Sequence, residues 1–230
     1  MDNMLRTFKR RALERAKKQD QEKKGLELGN KISTEMARSV PELEDKVVTD
    51  PLTGLLNRRG FAPYVEDAIA RLDRKKGDRT VAIMFFDVDN FKTINDTQGH
   101  RVGDGVLVEI ARVLKEHVRG EDKVARLGGE EFCVLFEDDG VENALKRAEA
   151  LRETISLLKI KTGNGPLSVS ASIGVAARSP GDDFDADTLI GRADKAMYQA
   201  KERGRNRVVL WSEPPDESQP GHQYKLDLGE

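Results

Sequence analysis

Residues 80–89 read Thr-Val-Ala-Ile-Met-Phe-Phe-Asp-Val-Asp, and this stretch decides the fold. Its continuous apolar run is typical of a central β-strand that is covered on both faces. Side chains alternate along a strand, so Asp87 and Asp89 are expected on the same face. A carboxylate at the end of a buried strand is costly unless it is paired, hydrogen-bonded or bound to a cation. On the pattern alone, capping or loop acids are the commoner explanation for this pair.

Outward from this strand, helical and strand patterns mix without strict alternation. One helical stripe consists of Phe61, Tyr64, Val65, Ala68, Ile69 and Leu72, and a second of Val106, Leu107, Ile110, Val113 and Leu114, opened near 103–105. Further helices are predicted over 141–158 and 186–203, and further strands over 123–127, 132–136, 168–176 and 207–211. This order favours an α+β fold, with a mixed, mainly antiparallel central sheet flanked by helices.

The two short strands 123–127 and 132–136 are separated only by Gly128-Gly129-Glu130-Glu131, which predicts a β-hairpin. The two glycines are expected to supply positive φ angles and room for close backbone approach. An isolated turn of this composition is most simply a soluble hairpin tip. That interpretation weakens because a second strand end in the same domain, at Asp87, also carries carboxylates.

These acids are hard oxygen ligands from separate strands. Such a set suits Mg²⁺, which keeps water and phosphate oxygens as its other ligands. The chain has three histidines, His100, His117 and His222, so a His-rich zinc site is not supported.

Residues 1–46 form a charged segment in which Leu28, Ile32, Met36 and Val40 recur every four residues. We expect a long amphipathic helix there, acting as a solvated linker, as a self-association helix or as a dock for a membrane or partner. The tail from Ser212 to Glu230, with three prolines and few large apolar residues, is expected to be flexible.

The bulk composition narrows the class of protein. A formal net charge of -2 gives no field that favours nucleic acid. No apolar run approaches the roughly 20 residues of a membrane span, and no signal peptide is recognisable. The single cysteine, Cys133, cannot form an internal disulfide and is expected to serve packing. A cytoplasmic location is therefore expected.

Several ordered motifs make the segment 47–211 resemble the GGDEF family of diguanylate cyclases. They are Asp50-Pro51-Leu52-Thr53-Gly54-Leu55 with Asn57-Arg58-Arg59, Phe86-Asp87-Val88-Asp89, Phe91-Lys92, Asn95-Asp96, Gly99-His100, Gly103-Asp104, Arg126-Leu127-Gly128-Gly129-Glu130-Glu131-Phe132, Ser172-Ile173-Gly174-Val175, Ala193-Asp194-Lys195-Ala196-Met197-Tyr198, Ala200-Lys201 and Gly204-Arg205-Asn206. Glu130 replaces the aspartate of the name-giving motif and retains a carboxylate. The resemblance implies a palm-like cyclase domain that condenses two GTP molecules into cyclic di-GMP and two pyrophosphates.

The resemblance also implies roles for individual residues. Two Mg²⁺ ions, with Mn²⁺ as an alternative, are expected on the Asp87 side chain, the Val88 carbonyl and Glu130, and Glu131 would help to bind the second metal or deprotonate the attacking 3′-hydroxyl. The triphosphate would be held by Lys92, Lys201, Arg205 and the backbone N–H groups of Asn90 and Phe91. The turn glycines Gly128 and Gly129 are also expected to bind substrate. Asn95 and Asp104 match the pair that reads guanine. His100 is expected in the same loop as these two residues, lining the guanine pocket.

Ring closure needs two GTP molecules, and each domain of this family binds one. The resemblance thus implies a homodimer, with the helix of 1–46 raising the effective concentration of one domain near the other. Arg119 and Asp122 match an inhibitory site for the product, and Arg147 or Arg152 would complete it across a dimer. Two alternatives stay open: a non-catalytic receptor for GTP or cyclic di-GMP, and a cyclase that also accepts ATP.

Overall fold

The computed structural model describes residues 47–74, 79–137, 140–163 and 165–213. The helix expected over 1–46 and nearly all of the tail expected over 212–230 lie outside these residues. Within the described ranges, no helix combines the length and apolar character that crossing a bilayer requires.

Five helices and seven strands make up the described part of the chain. The helices are α1 (Arg58–Arg74), α2 (Phe91–Gln98), α3 (His100–His117), α4 (Val141–Leu157) and α5 (Ala186–Glu202). The strands are β1 (Val81–Val88), β2 (Lys123–Arg126), β3 (Glu131–Glu137), β4 (Ile160–Thr162), β5 (Gly165–Leu167), β6 (Ala171–Arg178) and β7 (Val208–Leu210).

The main sheet has the strand order β2-β3-β1-β6-β7, with β1 at its centre. All neighbours in it are antiparallel except β6 and β7, which are parallel. Strands β4 and β5 form a separate antiparallel hairpin. The mixed, mainly antiparallel sheet predicted from the sequence is therefore confirmed.

Strand β1 is buried along its whole length because helices cover both faces of the sheet. Its even-numbered side chains, such as Phe86, pack with the apolar stripes of α3 and α4. Its odd-numbered apolar side chains, such as Phe85, pack with α1 and α5. The rings of Phe86 and Phe132, which face each other across β1 and β3, are stacked with centroids 5.0 Å apart. This stacking fixes the register beside the Gly128–Glu131 turn.

Three details of the sequence-based assignment were incomplete or wrong. The short helix α2 and the β4–β5 hairpin were not predicted, because both are too short for a clear apolar period. Helix α3 begins at His100, so that residue lies in a helix rather than in a loop. Tyr64, counted in the buried stripe of α1, is 40% exposed, and the Lys123 ammonium lies over its ring.

Helix α5 lies unusually close to β6 at Gly174. A Cβ atom built on Gly174 would overlap the Ala193 carbonyl oxygen and the Met197 nitrogen of the helix backbone. The small residues Ala193, Ala196 and Ala200 are all fully buried on the facing side of α5. Glycine at position 174 thus allows the close approach that carries the end of α5 towards the end of β1.

Candidate active site

Asp87 lies at the end of β1 with a side chain that is 7% exposed. Its Oδ1 atom forms an ion pair with Lys201 Nζ on α5 at 2.8 Å and has no other polar partner among the described residues. Burial, together with the negative charges of Glu130 and Glu131, raises the pKa of Asp87 to about 6 despite the opposing effect of Lys201. This carboxylate is therefore held in a site with an excess of negative charge.

The turn 128–130 brings the other two acids to the same edge. Glu131 is the register partner of Asp87, and the Val88 N–H donates to the Glu130 carbonyl at 3.3 Å. The side chains of Glu130 and Glu131 are partly exposed. Strand pairing and the turn thus place three carboxylates at one end of the sheet.

The expectation that Gly128 and Gly129 supply positive φ angles is wrong, because neither has one. A Cβ atom at Gly128 would overlap only the far end of a flexible side chain, at Glu131 Oε2. The Glu131 side chain folds back over Gly128, and the missing side chain leaves it that room.

Arg126 connects this turn to the Asp50–Thr53 turn. Its Nη2 atom donates to the Gly129 carbonyl at 2.7 Å, and its Nη1 atom donates to Asp50 Oδ1 at 3.0 Å. Burial raises the pKa of Asp50. The hydrogen bonds from Thr53 and Arg126 together lower it by more, so the net shift is downward. The Arg126 guanidinium thereby fixes the backbone that carries Glu130. Its role was not predicted from the sequence, although the motif containing it was recognised.

The connection between β1 and α3 forms the second wall of the site. Asn90 has a left-handed backbone (φ 56°), and Phe91 and Lys92 open α2. Asn95 Oδ1 is buried and has no hydrogen-bond partner, and it fills the space left by Gly103, where a Cβ atom would overlap it.

Asp104 and His100 lie exposed in the first turns of α3. The described part of the chain has three buried side-chain polar atoms without a hydrogen-bond partner, and two of them, on Asp87 and Asn95, are in this region. Buried polar groups are normally paired, so the two atoms indicate a surface that is built for a ligand.

Lys201 and Arg205 come from the end of α5. Lys201 is partly buried against Asp87, whereas Arg205 lies exposed in the turn that follows the helix. The structure thus brings Lys201 to Asp87 and places Arg205 at the same end of α5. Sequence reasoning found both residues but not Gly174, whose missing side chain lets α5 approach.

Asp89, which sequence reasoning gave no separate role, is fully hydrogen-bonded. Its Oδ1 atom accepts from Ser172 Oγ at 2.6 Å. Its Oδ2 atom accepts from Ser170 Oγ at 2.6 Å and from the Asn206 N–H at 3.0 Å. This carboxylate connects β1, β6 and the turn after α5.

Arg119 and Asp122 lie outside this region, in the turn before β2. The Asp122 side chain is 1% exposed, accepts from the Arg119 N–H at 2.7 Å and forms an ion pair with Arg147. The Arg147 guanidinium also lies 4.1 Å from the centre of the Phe136 ring. Arg152 instead contacts Glu149 and Asn206. Of the two arginines considered for this turn, Arg147 is therefore the one in contact with Asp122.

Oxygen donors for a hard cation are present, but they do not form a closed cage. Within the described ranges, no three His, Cys, Asp or Glu side chains converge closely enough to hold a metal ion by themselves. The nearly buried Asp87 carboxylate and the acids Glu130 and Glu131 fit Mg²⁺, which takes few protein ligands when phosphate oxygens supply the rest. Buried Cys133 is not a candidate metal ligand, because burial raises the pKa of its thiol. It packs in the core as expected.

Comparison with known proteins shows that residues 47–207 match the family model "Diguanylate cyclase, GGDEF domain". Diguanylate cyclase DosC of Escherichia coli (strain K12) is 39% identical over 167 residues, which are 72% of this chain and 35% of DosC. The chain therefore spans about a third of the length of this relative.

Two solved structures are similar over most of their own length. The GGDEF domain of DgcB from Caulobacter crescentus, in complex with c-di-GMP, has 33% identity and a TM-score of 0.67, covering 72% of this chain and 96% of that chain. An active GGEEF domain of a diguanylate cyclase from Vibrio cholerae has 32% identity and a TM-score of 0.64, covering 70% and 99%. The latter has glutamate at the position that Glu130 occupies here.

Proposed function

The chain belongs to the GGDEF family of diguanylate cyclases, and we propose that it condenses two GTP molecules into cyclic di-GMP with release of two pyrophosphates. The observation that carries this proposal is the Asp87 carboxylate. It is nearly buried, is paired only with Lys201, and shares one end of the sheet with two further acids. The Lys201 ammonium does not offset the burial and the like charges, so a bound cation would stabilise this carboxylate.

Asp87, the Val88 carbonyl, Glu130 and Glu131 are the residues that would hold Mg²⁺. When bound, two Mg²⁺ ions would stabilise charge on the attacking 3′-oxygen and on the leaving pyrophosphate. The backbone holds the acids in place through the Val88–Glu130 contact and the Arg126 bridge to Gly129. Glu131 either completes the metal set or accepts the proton of the attacking 3′-hydroxyl.

Lys201, Lys92 and Arg205 are proposed to hold the triphosphate, together with the backbone N–H groups of Asn90 and Phe91. Lys201 already lies 2.8 Å from Asp87, so its ammonium is at the metal side of the site. Cations fixed in this way stabilise developing charge on phosphoryl oxygens without reorganising during the reaction.

Asn95 and Asp104 are proposed to select guanine. The unpartnered Asn95 Oδ1 atom and the exposed Asp104 carboxylate are both acceptors, and guanine presents its N1–H and N2–H₂ donors on one edge. Adenine presents an acceptor at N1, which would leave these oxygens unpaired. Exposed His100, one turn before Asp104, is proposed to line the same pocket.

Two copies of the chain must meet for the product to form, because each domain supplies one GTP. We propose that segment 1–46 promotes this meeting. Removal of residues 1–45 is then expected to lower the activity per chain most strongly at low protein concentration. A truncated protein whose specific activity is independent of dilution would disprove this role.

Product inhibition is proposed at Arg119 and Asp122. Asp122 is already paired with Arg147, so the product would have to displace that guanidinium or share the carboxylate with it. Arg119→Ala is expected to relieve inhibition by added cyclic di-GMP. An inhibition curve identical to that of the wild type would reject the site.

The function is tested by incubating the full chain with Mg²⁺ and either GTP alone or a mixture of GTP and ATP, then identifying the products by mass. We expect cyclic di-GMP in both reactions and no mixed dinucleotide. Glu131→Gln should lose activity, and Asp73→Asn, which alters a carboxylate at the opposite end of β1, should retain it. Tight nucleotide binding without any product would instead support a receptor, and a mixed product would support the ATP-using alternative.

A further inference from the structure

The turn that carries Arg205 has an unusual backbone. Gly204, Arg205 and Asn206 have φ angles of 108°, 64° and 44°, three consecutive residues in the left-handed region. Residues other than glycine pay roughly 1–2 kcal/mol each for this conformation. Two helix-capping contacts account for part of the turn: Gly204 N–H donates to the Lys201 carbonyl at 3.2 Å, and Arg205 N–H to the Ala200 carbonyl at 3.0 Å.

The contact that fixes the far side of this turn comes from Asp89, directly after β1. Asn206 N–H donates to Asp89 Oδ2 at 3.0 Å, and the Asn206 side chain accepts from Arg152 at 2.9 Å. Asp89 is 4% exposed, and its other hydrogen bonds, from Ser170 and Ser172, connect it to the start of β6. A buried carboxyl group that accepts from three donors on two other parts of the fold is a rigid support.

We propose that Asp89 is a positioning residue, which holds the turn 204–206 against the end of β1 and thereby presents Arg205 to the triphosphate of GTP. This inference rests on the proposed function, because it assumes that Arg205 binds the substrate. Asp89 touches neither the substrate nor the metal ligands in this scheme and acts through Arg205. The two carboxylates at the end of β1 then have different roles: Asp87 would bind the metals, and Asp89 would position the turn 204–206, which carries Arg205.

The test is a double-mutant cycle on Asp89→Ala and Arg205→Ala. Each variant is titrated with a non-reactive GTP analogue by calorimetry, and its KM and kcat are measured with GTP. Each single variant is expected to weaken analogue binding about tenfold and to raise KM about equally, with a smaller effect on kcat. In the Arg205→Ala background, Asp89→Ala should weaken analogue binding by less than about a further twofold, because the side chain that it positions is gone.

Asp89→Asn is the conservative variant. The Ser172 hydroxyl can turn to accept from the new NH₂ group, which leaves the amide oxygen free to accept from Asn206 N–H. It should restore most of the affinity lost in Asp89→Ala. Asp73→Asn is the control, since the Asp73 carboxylate likewise accepts hydrogen bonds from a residue of β6, Arg178, but near the other end of β1. That variant should alter thermal stability without changing KM.

The proposal is overturned if the effects of Asp89→Ala and Arg205→Ala multiply, or if Asp89→Ala lowers stability and leaves KM unchanged. Should Asp89→Ala fail to fold, amide exchange of the wild type decides. The Asn206 amide, which donates to Asp89, must exchange far more slowly than an unstructured peptide, and exchange at the unstructured rate would refute the Asp89–Asn206 contact. Binding of the analogue without any cyclic product would defeat the proposed function alone, since the coupling remains measurable. Absence of analogue binding would defeat both.

Discussion

Asp87 and Asp89 stand two residues apart at the end of one strand, both buried, yet they face two different regions. Asp87 faces the turn 128–130 and Lys201, and one of its oxygens lacks a hydrogen-bond partner. Asp89 faces the start of β6 and the turn after α5, and three donors satisfy its two oxygens. The two carboxylates thus have the same sequence context and opposite states of satisfaction.

The difference teaches how a functional acid is recognised in a fold. A carboxylate that is completely hydrogen-bonded stabilises the structure around it, whereas one whose single ion pair does not offset its burial and its acidic neighbours costs stability and fits a bound cation. The Asp122 carboxylate belongs with Asp89 in this respect, because Arg119 N–H and Arg147 satisfy it. The same substitution at positions 87 and 89 should therefore have different consequences.

The largest expected effect is the loss of activity in Asp87→Asn. Removing a carboxylate that would hold Mg²⁺ should lower kcat by about a thousandfold or more. Asp89→Asn should retain far more activity, because it keeps its hydrogen-bonded geometry. Pyrophosphate release with GTP and Mg²⁺ measures both variants, and an equal loss in the two would erase the distinction.

The next effect concerns Gly174→Ala. The added methyl overlaps the α5 backbone, so the helix must move and Lys201 with it. We expect a loss of about 1–3 kcal/mol in the free energy of unfolding and about a tenfold drop in kcat/KM. Gly105→Ala is the control, since a Cβ atom there meets nothing within 4 Å. Wild-type activity of Gly174→Ala would show that Lys201 needs no such close packing.

In the metal-free protein, Asp87→Asn and Asp89→Asn should change the free energy of unfolding in opposite directions. The folded-state pKa of Asp87 is raised from 3.8 to about 6. Ionised Asp87 therefore destabilises the fold at pH 7, an effect that grows as pH rises from about 4 to 6 and is absent below that window. Asp87→Asn should gain about 1–3 kcal/mol at pH 7 relative to the wild type, and little at pH 4.

Asp89→Asn should lose about 1–2 kcal/mol at pH 7, because a charged acceptor becomes a neutral one. Urea unfolding in the presence of a chelator measures both variants. If both substitutions stabilise, or both destabilise, the assignment of one satisfied and one unsatisfied carboxylate fails.

The smallest expected effect is a change in the pKa of Asp87 itself. The negative charge of Glu130 contributes to its elevation. Glu130→Gln should lower that pKa by a fraction of a unit, measured by NMR titration of the Asp87 carboxyl carbon without metal. Glu142→Gln, on the first turn of α4, is the control and should leave it unchanged. No movement in Glu130→Gln would mean that the two acids are not electrostatically coupled.

Much of the fold was predictable from local patterns. The run Val81–Val88 has the apolar continuity of a strand covered on both faces, and the Gly-Gly-Glu-Glu interval indicated a hairpin. Helices α1, α4 and α5 followed from their period of 3.6 residues. Short elements such as α2 and β4–β5 escaped because a stretch of three to eight residues carries too little periodic signal.

The sequence by itself determined which chemical groups this protein possesses and their order along the chain, including the acids of β1 and β3 and the basic end of α5. Only the tertiary structure decided which of these groups are satisfied. Asp87 and Asp89 are far in sequence from Lys201 and Asn206. The contacts between these residues depend on the register of β1 with β3 and β6 and on the close packing of α5 at Gly174. Local propensity carries no information on such contacts, which is why Asp87 and Asp89 look alike in the sequence and differ in the fold.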